Sequence, residues 1–202
     1  MMILAALAAC GLHGNPERSR LVGQLEREVV ALNATVQRLQ VDCASSDRPD
    51  TLFAALTGVF AGGEVGVSRD GKTTLLVFPV SLLFPDPWSG QFRAEATGVL
   101  DLLATALTLH PDYAINVEGH AADRSIPARE FKRFPDHVAL SLMYAARTAT
   151  RLTTEFGVAP ERFTIAGRGA WEPIASNDVP SGQVQNDRVV VRIVPIKKAS
   201  TP

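Results

Sequence analysis

The stretch Ile115–Ala145, INVEGHAADRSIPAREFKRFPDHVALSLMYA, decides the fold. Ile115-Asn-Val117-Glu-Gly119 alternates apolar and polar residues, the pattern of a half-buried strand. His120-Ala-Ala-Asp123 opens a long polar loop that ends at Phe134-Pro135. An apolar-periodic helix follows from near Asp136. A loop leaving the C-terminal edge of a strand and closed by the next helix is where sheet-and-helix folds hold ligands.

The flanking chain supplies the rest of a sheet. Upstream, Val65 and Val67, then Thr74 to Val80, read as two strands around Asp70-Gly71, a dipeptide suited to a tight hairpin. Phe92 to Leu109 carries helical spacing through Phe92, Ala96, Val99, Leu103, Ala106 and Leu107. Downstream, the helix runs to Phe156, where Gly157 is placed to cap it. Phe163 to Gly167 is a strand, Gly169 to Gln185 a loop rich in Pro, Asn, Ser and Gly, and Arg188 to Ile196 the last strand. The order is β-β-α-β-α-β-β. It predicts an α/β (α+β) domain, a mixed β-sheet with two main helices on one face.

Composition excludes several functions. A net charge of −1 over 202 residues provides no positive surplus for nucleic acid. Aromatic content of 6% offers few stacking platforms for single strands. No apolar run reaches the ~18 residues of a spanning helix. No G-x-S-x-G elbow, P-loop, H-E-x-x-H or C-x-x-C pattern occurs, so no enzyme and no cofactor is expected. His120 lacks a neighbouring ligand cluster, which argues against a metal site.

The N-terminal part reads as separate segments. Residues 1–10, MMILAALAAC, form an apolar run closing on small residues, as a secretory signal does. Leu7-Ala-Ala-Cys10 resembles a bacterial lipobox, which implies lipidation of Cys10 and, with Gly11 next, sorting to the outer membrane. Residues 11–20 read as a linker and 21–42 as a coiled-coil helix. Val22, Leu25, Val29, Leu32, Val36 and Leu39 form a heptad seam with Val at a and Leu at d, which favours a parallel homodimer. The same pattern also describes an amphipathic helix packed on its own domain. Cys43 falls at the next a position, where two copies would face each other. Residues 43–64 read as a linker holding a short helical piece near Thr51–Phe60, 65–196 as the main domain and 197–202 as a tail.

Four boxes then give the domain a family. Gly119-His120-Ala121-Ala122 resembles G-H-T-D, and His137-Val-Ala-Leu140-Ser141-Leu-Met-Tyr144-Ala145 resembles N-x-x-L-S-x-x-R-A. Gly167-Arg-Gly169, Pro173 and Asn177 match a later G-x-G…P…N box. Gly182-Gln-Val-Gln-Asn186-Asp-Arg188-Val189 matches G-R-x-x-N-R-R-V. In this order and spacing they resemble the OmpA-like domain, whose branches include Pal lipoproteins and MotB. The insert ending at Phe134-Pro135 is similar to the MotB branch.

The resemblance implies non-covalent binding of peptidoglycan through the diaminopimelate of its stem peptide. Such a zwitterion needs one anion and one fork-shaped cation, which the family's box Asp and Arg supply. Here those positions are Ala122 and Tyr144. Asp123 lies one residue late, and Arg147 three residues beyond Tyr144. Arg124 on the loop is a further cation, as are Arg129, Lys132 and Arg133. The candidate binding residues are therefore His120, Asp123, Arg124, Leu140, Tyr144, Arg147, Asn186 and Arg188. Asp123 and Arg124 read equally well as solvated loop charges. Two functions follow: an outer-membrane lipoprotein anchoring its membrane or an envelope complex to the wall, or an OmpA-like scaffold acting in protein–protein assembly.

Overall fold

In a computed structural model the described residues are 16–46 and 51–196. The signal segment with Cys10, the first part of the 11–20 linker and the tail 197–202 lie outside them. The chain forms two compact units that divide after Pro49.

The described residues of the first unit form a helix, α1 (Pro16–Ser46). It begins four residues before the expected end of the linker. Proline lacks an N–H and has a helical φ, so Pro16 suits a first turn. Leu25, Val29, Leu32 and Val36, the described part of the heptad seam, are all exposed at 46–63%. Cys43 falls within α1, but its side chain, like those of Val22 and Leu39, is outside the described set.

The second unit starts before the predicted Val65. α2 (Thr51–Val59) buries Leu52 and Leu56 completely, and both belong to the main hydrophobic core. Residues 51–59 are thus part of the domain rather than linker, because their apolar side is needed to close that core. A hairpin follows, β1 (Gly66–Asp70) and β2 (Thr73–Pro79), turning at Gly71 with φ of 56°. One turn of helix, α3 (Val80–Leu83), replaces the expected end of the apolar run. Then come α4 (Ala96–Leu109), β3 (Tyr113–His120), α5 (His137–Thr154), a 3-10 turn (Pro160–Arg162) and β4 (Phe163–Gly167). The stretch read as loop to Gln185 contains a further helix, α6 (Pro180–Asn186), before β5 (Arg188–Pro195). Pro180 opens α6 at its first position, a place where proline aids a helix instead of breaking it.

The five strands make one mixed sheet in the order β1-β2-β5-β3-β4, with only β3 and β4 parallel. Its register sorts the residues by face. Gly119 pairs with Val189 and Val117 with Val191, while His120 pairs with Arg188 and Glu118 with Val190. Strand side chains alternate, so Val117, Gly119, Val189 and Val191 share one face and Glu118, His120 and Arg188 the other. α5 lies on the first face at backbone contact. A Cβ at Gly119 would stand 1.8 Å from the Ser141 carbonyl oxygen, and one at Gly167 would stand 2.7 Å from that of Val138. The two glycines let helix and sheet meet without side chains between them.

Candidate functional site

α5 carries the N-terminal end of the site. The Asp136 carboxylate accepts from the Ala139 N–H at 2.8 Å, an N-cap that stops the helix at the end of the polar loop. One turn on, Ser141 Oγ donates to the Val138 carbonyl and accepts from the Gly169 N–H at 2.9 Å. Ala121 N–H reaches the Gly169 carbonyl at 2.9 Å. The loop after β3 and the loop after β4 are therefore tied to each other and to α5.

Tyr144 occupies the position where the family has its box Arg. It is fully buried, and its hydroxyl donates to the Pro87 carbonyl at 2.7 Å. Burial, then the nearby Asp187 carboxylate, pushes its pKa far above the usual phenol value. Arg147 does not turn back to replace the missing cation. Its Nε donates to the Gly90 carbonyl at 2.7 Å and the side chain stays exposed. Leu140 is buried in the core beneath them.

The charge missing at Ala122 returns from the residue between α6 and β5. Asp187, 4% exposed, accepts from the Ala122 N–H at 2.7 Å through one oxygen and from Arg124 through the other. Arg124 also donates to the Gln183 carbonyl at 3.3 Å. Burial raises the Asp187 pKa above its ordinary value, opposed by the Ala122 N–H and the Arg124 guanidinium. An anion and a fork-shaped cation thus stand beside Tyr144, closed on each other. Asp187 was not among the candidates from sequence. The signal was present, because in the box Asn186-Asp-Arg188 it takes the place of an arginine.

His120 and Arg188 belong to the opposite sheet face, and β-sheet alternation is the reason they do not join Tyr144. His120 is 2% exposed, and Arg188 donates to its Nδ1 at 3.2 Å. Burial, then the neighbouring Arg188, lowers the His120 pKa to about 4, with Glu172 and Glu118 opposing. A neutral imidazole acting as an acceptor follows at neutral pH. Beside it Glu118 accepts from Arg168 at 2.8 Å and Arg192 at 3.2 Å. Burial alone would raise the Glu118 pKa, but these two arginines bring it below its usual value.

Asn186 orders the loop before it. Its Oδ1 accepts from the Ile174 and Ala175 N–H groups, and its Nδ2 donates to the Ala175 carbonyl and to Asn177 Oδ1. Asn177 Oδ1 in turn accepts from the Asp123 N–H at 3.1 Å. The Asp123 side chain itself is exposed, on a small cleft beside the Arg124–Asp187 pair. Among the described residues no group of His, Cys, Asp and Glu is arranged to hold a metal, and no helix is long and apolar enough to cross a membrane.

A five-stranded mixed sheet with α5 against Gly119 and Gly167, and a polar loop site at the end of β3, define an OmpA-like periplasmic-domain fold. Residues 86–187 match the OmpA family, and the chain belongs to it. It is 34% identical over 136 residues to the peptidoglycan-associated lipoprotein of Agrobacterium fabrum, covering 64% of this chain and 72% of that one. Similarity to the probable lipoprotein YiaD of Escherichia coli is 30% identity over 147 residues, 73% of this chain and 63% of YiaD. Among solved structures, the cell wall anchor of the T6SS from Pseudomonas aeruginosa superposes with a TM-score of 0.62 at 28% identity. That alignment covers 71% of this chain and 96% of the anchor.

Proposed function

We propose that this chain is a cell-envelope lipoprotein whose OmpA-like domain binds peptidoglycan non-covalently and ties the outer membrane, or an envelope complex, to the wall. The observation that carries this reading is the Arg124–Asp187 pair. It provides, beside Ala122 and Tyr144, the one anion and one guanidinium that a zwitterionic diaminopimelate needs, from positions other than the family's clamp Asp and Arg. The similarity to a peptidoglycan-associated lipoprotein and to a cell wall anchor supports the same ligand. On this reading the ligand's ammonium and carboxylate exchange for the two halves of the internal pair, and no catalysis is involved. Anchoring is assigned to a lipidated Cys10.

Purified sacculi should pull down the full chain. Free diaminopimelate should compete, and Arg124→Ala should weaken retention by roughly tenfold, the loss of one charge-assisted contact. In cell fractionation, Cys10→Ser should move the chain from the membrane pellet to the soluble fraction. A specific observation favours the alternative: Tyr144 is fully buried and both Asp187 oxygens are already bonded, so the pocket is filled from within. Absence of sacculus binding, with another envelope protein co-purifying in fixed ratio, would make the domain an assembly scaffold.

The exposed seam of α1 is assigned to a second copy of the chain in a parallel coiled coil. Val at a and Leu at d are self-complementary in two strands, and Leu25, Val29, Leu32 and Val36 have 46–63% of their surface exposed. Exported protein run on nonreducing gels should show a dimer that Cys43→Ser abolishes. Monomer alone, also by sedimentation, would sink the assignment.

A further inference from the structure

The acidic cleft next to the Arg124–Asp187 pair is not used by that clamp. It measures about 250 Å³ and is lined by Asp123, Asp136, His137, Val138, Gly169 and Trp171, with Ala170 between the last two. Trp171 is 78% exposed, although an indole is among the side chains that gain most from burial. Its backbone is nevertheless held on both sides. Gly169 is bonded to Ala121 and Ser141, and the Glu172 carbonyl accepts from Arg188 at 2.9 Å. The opposite wall is fixed as well: Asp123 through its N–H to Asn177, and Asp136 through its cap to Ala139. An indole held out in water by a rigid backbone is a preformed platform, and preorganisation lowers the cost of binding.

We propose that this cleft binds a pyranose ring of a glycan strand, stacked on Trp171 and hydrogen-bonded through its hydroxyl or acetamido donors to Asp123 and Asp136. The proposal rests on the wall-anchor reading for the source of the glycan. A pyranose presents axial C–H groups on one face and hydroxyl donors around its rim. The C–H face suits the electron-rich indole, and carboxylates accept the rim donors with charge assistance. One Asp136 oxygen is taken by its helix cap, which leaves the other for the ligand. The volume lies below the ~300 Å³ of pockets for drug-sized ligands, so it suits one ring of a longer polymer. Openness favours a sugar over an ammonium group. A cation on an exposed ring gains little, whereas a polymer needs a platform open at both ends.

Calorimetric titration of the full chain with the tetramer of N-acetylglucosamine tests this. Saturable binding is expected, at least about tenfold weaker in Trp171→Ala, which removes the platform. Because Trp171 is exposed, that variant should unfold at the same urea concentration as the parent. No binding of the tetramer, or binding equal in the parent and Trp171→Ala, would overturn the proposal. So would a heat signal obtained with diaminopimelate alone and lost in Trp171→Ala, which would make the cleft an amine site. The sacculus assay separates the two readings. Tetramer binding without sacculus binding keeps the saccharide site and rejects wall anchoring, while the reverse keeps anchoring and rejects the site.

Discussion

Gly119→Ala should remove a large part of the domain's stability, through one methyl group. The Cβ would lie 1.8 Å from the Ser141 carbonyl oxygen, 2.7 Å from its carbon and 3.3 Å from the Ala145 nitrogen. All three are backbone atoms of α5, so no rotamer change relieves the contact. Displacing the helix is opposed by its other ties to the sheet: α5 also sits close over Gly167 of the neighbouring β4, and Ser141 Oγ is bonded to the Gly169 N–H. Overpacking a core costs about 1–3 kcal/mol where side chains can adjust. A backbone clash belongs at or above the upper end, against a total of roughly 5–15 kcal/mol for a domain. Urea unfolding should therefore show a much lower midpoint at unchanged slope. Gly98→Ala is the control. Gly98 is exposed within α4 with nothing within 4 Å of its added Cβ, and alanine there should raise stability by up to ~1 kcal/mol. Equal midpoints for the two variants would refute the account of how α5 is seated.

The same close approach explains what the sequence could and could not reveal. Alternation in Ile115–Gly119 and the periodic helix after Asp136 made β3 and α5 legible, because both depend on local pattern. The box residues Gly119 and Gly167 were visible as glycines, but their purpose is tertiary, since each matters only for what crosses above it. α6 stayed hidden because Pro180 and Gly182 punctuate loops more often than they open helices. At Gly182 an added Cβ would meet the Ser176 carbonyl at 2.0 Å, a packing reason for glycine that no propensity reports. α2 was seen as a helical piece, yet its place in the core depends on which surface Leu52 and Leu56 meet.

The candidate site divides along similar lines. His120 and Tyr144 both belong to family boxes, but strand alternation sends His120 to the other face from Gly119 and thus away from α5. Register, once fixed, dictates this; a list of box residues does not. Arg124 was named as a cation of the loop, while its partner lies 63 residues away in sequence. Only the pairing of β3 with β5 brings the two together. The departures at Ala122 and at Asp187 look like two independent losses in sequence. In space they are one rearrangement, because the carboxylate absent at 122 stands on the Ala122 N–H.

Asp187 should then be a position where stability and binding are lost together, in a way that its partner is not. Asp187→Ala leaves the Ala122 N–H and the Arg124 guanidinium without their acceptor. Breaking a buried pair by removing one partner costs about 3–5 kcal/mol. The Arg124 side chain is 21% exposed and can reach water, so roughly 2–3 kcal/mol is expected here. Arg124→Ala is gentler, since Asp187 can neutralise itself. Burial already holds its pKa high, and loss of the guanidinium raises it further. A carboxyl with a raised folded-state pKa binds more protons folded than unfolded. The Arg124→Ala protein should therefore lose more stability at pH 8 than at pH 5, with the difference appearing as pH rises from the unfolded toward the folded pKa. Combining Arg124→Ala with Asp187→Ala should cost less than the sum of the two, with a coupling of about 1 kcal/mol or more. Urea midpoints of the parent, both single variants and the double variant at the two pH values supply the measurement. Additive losses, or a pH-independent Arg124→Ala, would mean that Asp187 serves the Ala122 turn alone. Arg124 would then be a bystander on the loop, and the anion–guanidinium pair would no longer support a zwitterion clamp.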